Sequence, residues 1–219
     1  MVLKNKTPFS HIIWDWNGTL LDDINWCITV INKMLSKRGL KTLNSVSDYR
    51  NVFCFPIIDY YKKNGFDFEK ESFERLANEY ITFYHSEKSV ENIKLHENAQ
   101  YVLKTLYEKN KFQVVLSASE KSNLLSQMNL FDIKCYFEEI LGLSSIYAES
   151  KINIGIDYIK KNEITNALLI GDTEHDYEVA KKIGVECVLI ANGHQGKDKL
   201  SFCNVPVLNN ILEVIEYVN

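Results

Sequence analysis

The stretch His11-Ile12-Ile13-Trp14-Asp15-Trp16-Asn17-Gly18-Thr19-Leu20 decides the fold class of this 219-residue chain. Its apolar run predicts a short buried strand that ends abruptly at Asp15, with Gly-Thr shortly after. A carboxylate at the end of a core strand is costly unless a cation or hydrogen bonds meet it. Because ligands of open α/β sheets bind outside the carboxyl ends of the strands, we expect Asp15 to lie where chemistry takes place. Gly18 lets the backbone turn sharply and present its N–H groups to an anion.

A second stretch has the same form far downstream, at Ala167-Leu168-Leu169-Ile170-Gly171-Asp172-Thr173-Glu174-His175-Asp176. An apolar strand again ends in an acid, Asp172, and a further acid, Asp176, follows four residues later. Oxygen ligands suit Mg²⁺, so the strand-end aspartates Asp15 and Asp172 are expected to converge on one such cation. A single strand-end aspartate is more often a helix N-cap, but the two spacings together favour a site.

In these motifs the chain resembles the haloacid dehalogenase superfamily, specifically its phosphoglycolate-phosphatase-like branch. The motifs of that branch are DxDGT, a strand-terminal Ser or Thr, a Lys, and GDxxxD. They are matched here, in order, by residues 15–19, Ser117, Lys151 and residues 171–176. One position departs from the pattern, because Asn17 stands where the phosphatases carry an aspartate. The usual Lys-Pro is also replaced, by Lys151-Ile152.

The periodicity divides the chain into two parts. Residues 22–92 carry apolar residues at helical spacing without a competing strand run, whereas the remainder alternates strands and helices. We therefore predict an α/β fold, with a Rossmann-like, doubly wound, mostly parallel core domain formed by residues 1–21 and 93–219. Residues 22–92 are predicted to form an inserted, all-helical cap domain, as the resemblance also implies. Within the core, one strand is predicted at 112–116, ending before Ser117, and one helix at 177–183.

The resemblance implies a role for each motif residue. Asp15 is the nucleophile that forms an aspartyl-phosphate, and Mg²⁺ is bound by the side chains of Asp15 and Asp172 and by the backbone carbonyl of Asn17. Asp176 braces the metal site, and Lys151 supplies a point charge for a phosphoryl oxygen. The substrate phosphate is expected to contact Gly18, Thr19, Ser117, Ala118 and Lys151. Taken alone, Ser117 is equally consistent with a helix start, and Lys151 with a solvated surface group.

Asn17 leaves three outcomes open, because an amide neither takes nor gives a proton at neutral pH. The chain is a phosphatase that is slow or restricted to good leaving groups, or another group substitutes, or it binds a phosphorylated ligand without efficient turnover. The candidate substitutes are Asp22, Asp23, Glu174 and His175. Phosphonate-cleaving relatives share an Asp-Trp-x-Gly-Thr pattern, but the sequence context of their cap lysine is absent here. Haloacid dehalogenases use a different fourth motif.

The cap is expected to set substrate specificity. Arg50 is the predicted cap contact to substrate, and Arg38 and Lys62 are further candidates, although any one of them is more often an ordinary solvated charge. Trp16 is predicted to line the site entrance. His96, like His85, is predicted to lie at the surface, and His194 to be structural.

Composition excludes several other classes. A net charge of −4 provides no basic footprint for nucleic acid or for a membrane surface. From its short apolar run and its charges, we expect the N-terminus to be neither a signal peptide nor a membrane span. The five scattered cysteines favour buried free thiols in a reducing cytoplasm. The expected partner is a small phosphorylated metabolite, and the expected state is a monomer or a homodimer.

Overall fold

The computed structural model describes residues 9–86, 88–144 and 151–218. The chain divides into two compact units. The first contains the described residues up to Leu21 and from Leu95 onward, and the second spans Asp22–Lys94. That the second unit acts as a cap over a substrate stays a prediction.

The described residues contain eight strands. They are β1 (His11–Trp14), β2 (Leu21–Asp22), β3 (Lys94–Leu95), β4 (Phe112–Glu120), β5 (Glu139–Leu143), β6 (Ala167–Gly171), β7 (Glu186–Ile190) and β8 (Val207–Leu208). Six of them form one sheet in the order β5-β4-β1-β6-β7-β8, in which neighbouring strands run parallel. The predicted α/β fold with a mostly parallel sheet is confirmed.

Strand β1 lies where the winding of the sheet reverses. The chain builds β4 and β5 on one side of β1 and β6, β7 and β8 on the other. Trp14, the last residue of β1, pairs with Val115 of β4 and with Ile170 of β6. The side chains of Ile12, Ile13 and Trp14 are at most 1% exposed. Asp15, the residue after Trp14, therefore lies at the buried carboxyl end of β1. This end is the topological switch point of the sheet, where ligands of such sheets bind.

Eleven helices accompany these strands in the described part of the chain. They are α1 (Ile24–Lys37), α2 (Val46–Val52), α3 (Ile57–Lys63), α4 (Phe73–Tyr84), α5 (Ser89–Asn92), α6 (Ala99–Glu108), α7 (Lys121–Met128), α8 (Lys151–Lys161), α9 (Glu174–Ile183), α10 (Lys197–Leu200) and α11 (Glu213–Tyr217). None of them is both long and apolar enough to cross a membrane.

The second unit is built from α1–α5 around an aromatic core. Tyr49, Tyr60 and Tyr61 are buried, and the ring of Tyr60 lies edge-on to those of Tyr49 and Phe53. Helix α1 places apolar residues at helical spacing on its buried face, as the sequence pattern predicts. The chain enters this unit through β2 and leaves it through β3, and these two strands pair with each other.

Four sequence-based expectations are wrong. Strand β4 continues past Leu116 to Glu120, with a register shift between those two residues, so Ser117 lies within the strand. Helix α9 begins three residues earlier than predicted, at Glu174, because Thr173 caps it. Trp16 does not line an entrance, since it is fully buried and its indole N–H donates to Gln127 Oε1 at 2.9 Å. His96 is not a surface residue, being only 8% exposed.

Candidate active site

Asp15 lies at the carboxyl end of β1 and is only 9% exposed. Its backbone N–H donates to the Ile170 carbonyl at 2.9 Å, which continues the pairing of β1 with β6. Because β1 and β6 run parallel and in register, Asp15 and Asp172 leave the sheet at the same edge. The two motifs, separated by more than half of the chain, therefore meet through strand pairing.

Lys151 connects the two motifs through its side chain. It is the first residue of α8 and is 4% exposed. Its Nζ lies 2.6 Å from Asp15 Oδ1 and 2.6 Å from Asp176 Oδ1. The ammonium is thus shared by two carboxylates in a dry site, where charge-assisted hydrogen bonds are strong.

Asp172 is fully buried, and a hydrogen bond orients each of its two oxygens. Thr19 Oγ1 donates to Oδ1 at 3.0 Å, and the backbone N–H of His194 donates to Oδ2 at 2.6 Å. Gly18, at φ +77°, and Gly193 allow the backbone to approach this closely, because a Cβ on either would lie within 2.3 Å of Asp172 Oδ2. Both glycines are required by contact with the carboxylate, and Gly18 is required also by its left-handed backbone conformation.

Asp176 has a structural task in addition to holding Lys151. Its Oδ2 accepts from the Thr173 N–H at 3.0 Å, from Thr173 Oγ1 at 2.6 Å and from the Asp172 N–H at 3.2 Å. With the return bond from the Asp176 N–H to the Thr173 hydroxyl, this forms a capping box at the start of α9. The same carboxylate therefore caps the helix and fixes the Lys151 ammonium.

The site contains more negative than positive charge. Burial raises the pKa of Asp15 to about 8, with a contribution from Asp176 that Lys151 opposes. Burial likewise raises the pKa of Asp172 to about 6. Burial also acts to raise the pKa of Asp176, but Lys151 outweighs it and the pKa is lowered. Three buried carboxylates thus face one ammonium.

These residues fit a divalent cation. Oxygen atoms of Asp15, Asp172 and Asp176 lie within 4.8 Å of one another. An all-oxygen donor set suits a hard cation such as Mg²⁺, and a cation would offset the charge that raises the pKa values of Asp15 and Asp172. The backbone carbonyl of Asn17 stays a predicted ligand.

The Asn17 side chain is held by a residue that the sequence analysis did not single out. Ser119 Oγ donates to Asn17 Oδ1 at 3.0 Å, and the Ser119 N–H donates to Ser117 Oγ at 3.1 Å. Ser117 is buried, whereas Ala118 between the two serines is exposed. The extension of β4 by several residues places Ser119 there, and no spacing rule indicated it.

The candidate substitutes for a proton-transfer group are engaged elsewhere. Gln195 Oε1 accepts from the Glu174 N–H at 2.7 Å, and Gln195 Nε2 donates to Glu174 Oε1 at 3.2 Å. The Asp22 carboxylate lies 3.6 Å from Lys94 Nζ, and Asp23 Oδ2 accepts from the Tyr84 hydroxyl. His175 Nδ1 lies 3.9 Å from Glu178 Oε2.

The predicted cap contacts lie in the second unit. Arg50 is half-buried on α2, and its contact with substrate stays a prediction. Arg38 forms ion pairs with Glu71 and Glu79 within its own unit. Lys62 lies 3.1 Å from Asp59.

Comparisons with known proteins identify the family of this chain. Residues 12–190 match the family described as haloacid dehalogenase-like hydrolase. A phosphoglycolate phosphatase from Haemophilus influenzae is 23% identical over 198 residues, covering 86% of this chain and 88% of that protein. A haloacid dehalogenase-like hydrolase from Streptococcus pneumoniae superposes with a TM-score of 0.83 at 18% identity, over 96% of this chain and 99% of that one.

The crystal structure of a predicted phosphatase from Clostridium acetobutylicum superposes with a TM-score of 0.81 at 19% identity, over 97% of this chain and 99% of that one. At these identities the structural likeness concerns the fold alone. The family match spans both strand-end aspartates, Lys151 and the strands that position them. This chain is therefore a hydrolase of the haloacid dehalogenase-like family.

Proposed function

We propose that this hydrolase is an Mg²⁺-dependent phosphatase that cleaves a small phosphomonoester through an aspartyl-phosphate on Asp15. One observation supports the proposal. Asp15 is nearly buried at the switch point of the sheet, and among the described residues the Lys151 ammonium contacts a cluster that Asp15 forms with two further buried carboxylates. Phosphoglycolate is the first substrate to test, because a relative of this chain is named for it. The five cysteines, all free and four of them buried, suit a reducing cytoplasm.

Two displacements at phosphorus make up the proposed reaction. An Asp15 carboxylate oxygen forms a bond to phosphorus while the ester P–O bond breaks, and the leaving oxygen takes the electron pair. Water then attacks the phosphorus of the aspartyl-phosphate, and the P–O bond to Asp15 breaks, with its electron pair restoring the carboxylate. The proton that the water loses balances the one that the leaving alkoxide takes from solvent. A bound Mg²⁺ supplies charge neutralisation and alignment for in-line attack. Asp15, Asp172 and Asp176 would hold it.

The remaining site residues bind and orient. The Lys151 ammonium, already 2.6 Å from Asp15, is placed to attract a phosphoryl oxygen beside the nucleophile. The Ser117 hydroxyl accepts the Ser119 N–H, which leaves its own hydrogen for a phosphoryl oxygen. Because the Thr19 hydroxyl donates to Asp172, we assign Thr19 to orienting that carboxylate. The N–H groups of Gly18 and Ala118 are the further proposed contacts.

Asn17 determines which substrates turn over. Ser119 donates to the amide oxygen of Asn17, and an amide nitrogen is a hydrogen-bond donor only. An amide stabilises a leaving oxygen but does not protonate it. We therefore expect turnover to depend on how well the leaving group bears negative charge. The same observation favours a second candidate function, a binder of phosphorylated ligands with little turnover.

The deciding experiment compares the native protein with Asp15→Asn and Asn17→Asp on p-nitrophenyl phosphate and on phosphoglycolate, with Mg²⁺ and with EDTA. Asp15→Asn should lower kcat by at least about 10³-fold, because the nucleophile is lost. Asn17→Asp should raise the phosphoglycolate rate by about 10²–10⁴-fold and the p-nitrophenyl phosphate rate far less, because p-nitrophenolate leaves without a proton.

Each function has its own pattern of results. Native turnover that requires Mg²⁺ and Asp15 supports the phosphatase. Turnover by Asn17→Asp alone supports the binder. Native turnover that survives in Asp15→Asn contradicts the aspartyl-phosphate pathway.

A further inference from the structure

We propose that His96 is a positioning residue that sets the metal-binding geometry of Asp172 by holding together the two loops around it. His96 lies just after β3, far from both strand-end motifs in the sequence, and belongs to none of them. The proposal rests on the proposed function in one respect, namely that Asp172 binds the cation.

The His96 ring is hydrogen-bonded through both nitrogens. Its Nε2 lies 2.9 Å from the Gly18 carbonyl oxygen, and its Nδ1 lies 3.4 Å from Asn192 Nδ2. A carbonyl oxygen only accepts, so Nε2 carries the hydrogen and Nδ1 accepts from the Asn192 amide. One neutral tautomer satisfies both bonds, which makes the ring a defined link between the two loops.

The backbone of His96 is anchored as well. Its N–H donates to the Leu20 carbonyl at 2.9 Å, and its carbonyl accepts from the Ala99 N–H at 3.0 Å. The side chain is 8% exposed. These contacts fix the position of the ring. Because the ring is fixed, its two hydrogen bonds restrict movement of the loops that contain Gly18 and Asn192.

Both hydrogen bonds that orient Asp172 come from neighbours of the residues that His96 holds. Thr19, whose hydroxyl donates to Asp172 Oδ1, directly follows Gly18. His194, whose N–H donates to Asp172 Oδ2, is two residues after Asn192. A displacement of either loop would therefore move a donor that points at the carboxylate. Such outer hydrogen bonds to metal ligands typically contribute 10–100-fold, roughly, to metal affinity or activity.

Close contact increases the effect of such a displacement. A Cβ on Gly18 would lie 2.3 Å from Asp172 Oδ2 and 2.4 Å from His194 Cδ2, so the Gly18 backbone packs directly on both. A shift of the Gly18 carbonyl toward or away from His96 would change the space available to the Asp172 carboxylate. Packing this tight transmits small movements.

The test replaces His96 with side chains that keep or lose each hydrogen bond. In His96→Gln the amide nitrogen takes the place of Nε2 as a donor, and in His96→Asn the amide oxygen takes the place of Nδ1 as an acceptor. His96→Leu keeps apolar volume and removes both bonds. The matched control is His11→Leu, which changes a histidine at the opposite end of β1 in the same unit. Mg²⁺ affinity is measured by titration calorimetry without substrate, beside kcat, KM and thermal unfolding.

We expect His96→Leu to weaken Mg²⁺ binding by about 10–100-fold. His96→Gln and His96→Asn, which each keep one of the two bonds, should lose less affinity than His96→Leu, and His11→Leu should bind as the native protein does. At saturating Mg²⁺ the KM for substrate should change little. Native affinity in His96→Leu, or equal losses in His96→Gln and His96→Leu, would mean that the ring only fills space.

A second route keeps the test decisive if His96→Leu does not fold. Asn192→Ala removes the other end of the link and should also weaken Mg²⁺ binding. Asp172→Asn separates the two proposals. If it removes Mg²⁺ binding while Asn192→Ala and the His96 variants do not, the role of His96 is wrong and the metal site stands. If it leaves Mg²⁺ binding unchanged, the proposed metal site is wrong, and the role of His96 with it.

Discussion

Each of the two units contains one cation that bridges two carboxylates, and the two clusters have opposite electrostatic outcomes. In the first unit, Lys151 Nζ lies 2.6 Å from both Asp15 and Asp176. In the second unit, Arg38 pairs with Glu71 and Glu79, with Nη2 2.8 Å from Glu71 Oε1. The surroundings of the two clusters differ. A third buried carboxylate, Asp172, lies beside the first cluster, whereas Lys37 and Arg75 add positive charge beside Glu79 and Glu71 in the second.

Solvent exposure separates the two clusters. The side chains of Lys151 and Asp176 are 3% and 2% exposed, whereas those of Arg38 and Glu71 are 14% and 20% exposed. Burial raises the pKa of Asp15 to about 8 even though Lys151 is in contact. Hydrogen bonds from Arg38 lower the pKa of Glu71, because water still reaches that carboxylate and desolvation costs little.

Contact between opposite charges therefore does not by itself indicate that the ionised pair stabilises the fold. Around Arg38 the ionised carboxylates favour folding, whereas at Asp15 the ionised form is disfavoured until a further cation binds. Perturbed groups of the second kind are typical of functional sites. The three predictions below test this distinction.

Lys151→Met should have the largest effect. It removes the sole described ammonium in contact with Asp15 and Asp176, leaving both carboxylates buried without it, and loss of one partner of a buried pair typically costs about 3–5 kcal/mol. Loss of one preorganised donor lowers kcat by about 10²–10³-fold. Urea unfolding and steady-state kinetics measure the two effects. Equal destabilisation by Arg38→Met and Lys151→Met would contradict the proposed difference between the buried and the partly exposed cluster.

Asp15→Asn should change the pH dependence of stability in EDTA. The pKa of Asp15 is raised from 3.8 to about 8, so its contribution to stability is fully present below about pH 4 and is lost as pH rises toward 8. The variant lacks this loss. Its advantage in unfolding free energy should therefore grow between those pH values, by up to about 1.4 kcal/mol per pH unit. An advantage that is independent of pH would contradict the raised pKa.

Arg38→Met should have the smallest effect and the opposite pH dependence. The pKa of Glu71 is lowered from 4.5, so its contribution is present above that value and is lost as pH falls through the lowered pKa. Because the cluster is partly exposed, we expect a loss of about 1 kcal/mol at pH 7 that disappears in acid. Urea unfolding at pH 7 and at an acidic pH measures the loss of unfolding free energy. A loss that increases in acid would contradict the lowered pKa of Glu71.

Local sequence signals are sufficient for much of the fold and for the strand-end acids. An apolar run ending in an aspartate identifies a core strand and its exposed end together, which is why the order of residues alone marks Asp15 and Asp172 as candidates. Lys151 is identified only by the order of the motifs, since a lysine at a helix start has no distinctive local pattern. The site assignments still await the experiments above.

Other features depend on contacts between segments far apart in the chain. Ser119 reaches Asn17 because β4 continues past its predicted end, and His96 reaches Gly18 and Asn192 because three loops meet at one edge of the sheet. Trp16 is fully buried rather than lining an entrance, and its indole N–H finds its acceptor in Gln127, which is distant in the sequence.

Strand and helix patterns follow from the periodicity of side chains along the chain, and the chemistry at strand ends follows from the cost of burying charge, so both can be read from the order of residues. Which hydroxyl meets Asn17, which histidine holds the loops around Asp172 and how far each carboxylate is desolvated depend on packing between distant segments. Those properties exist only once the sheet has brought the segments together.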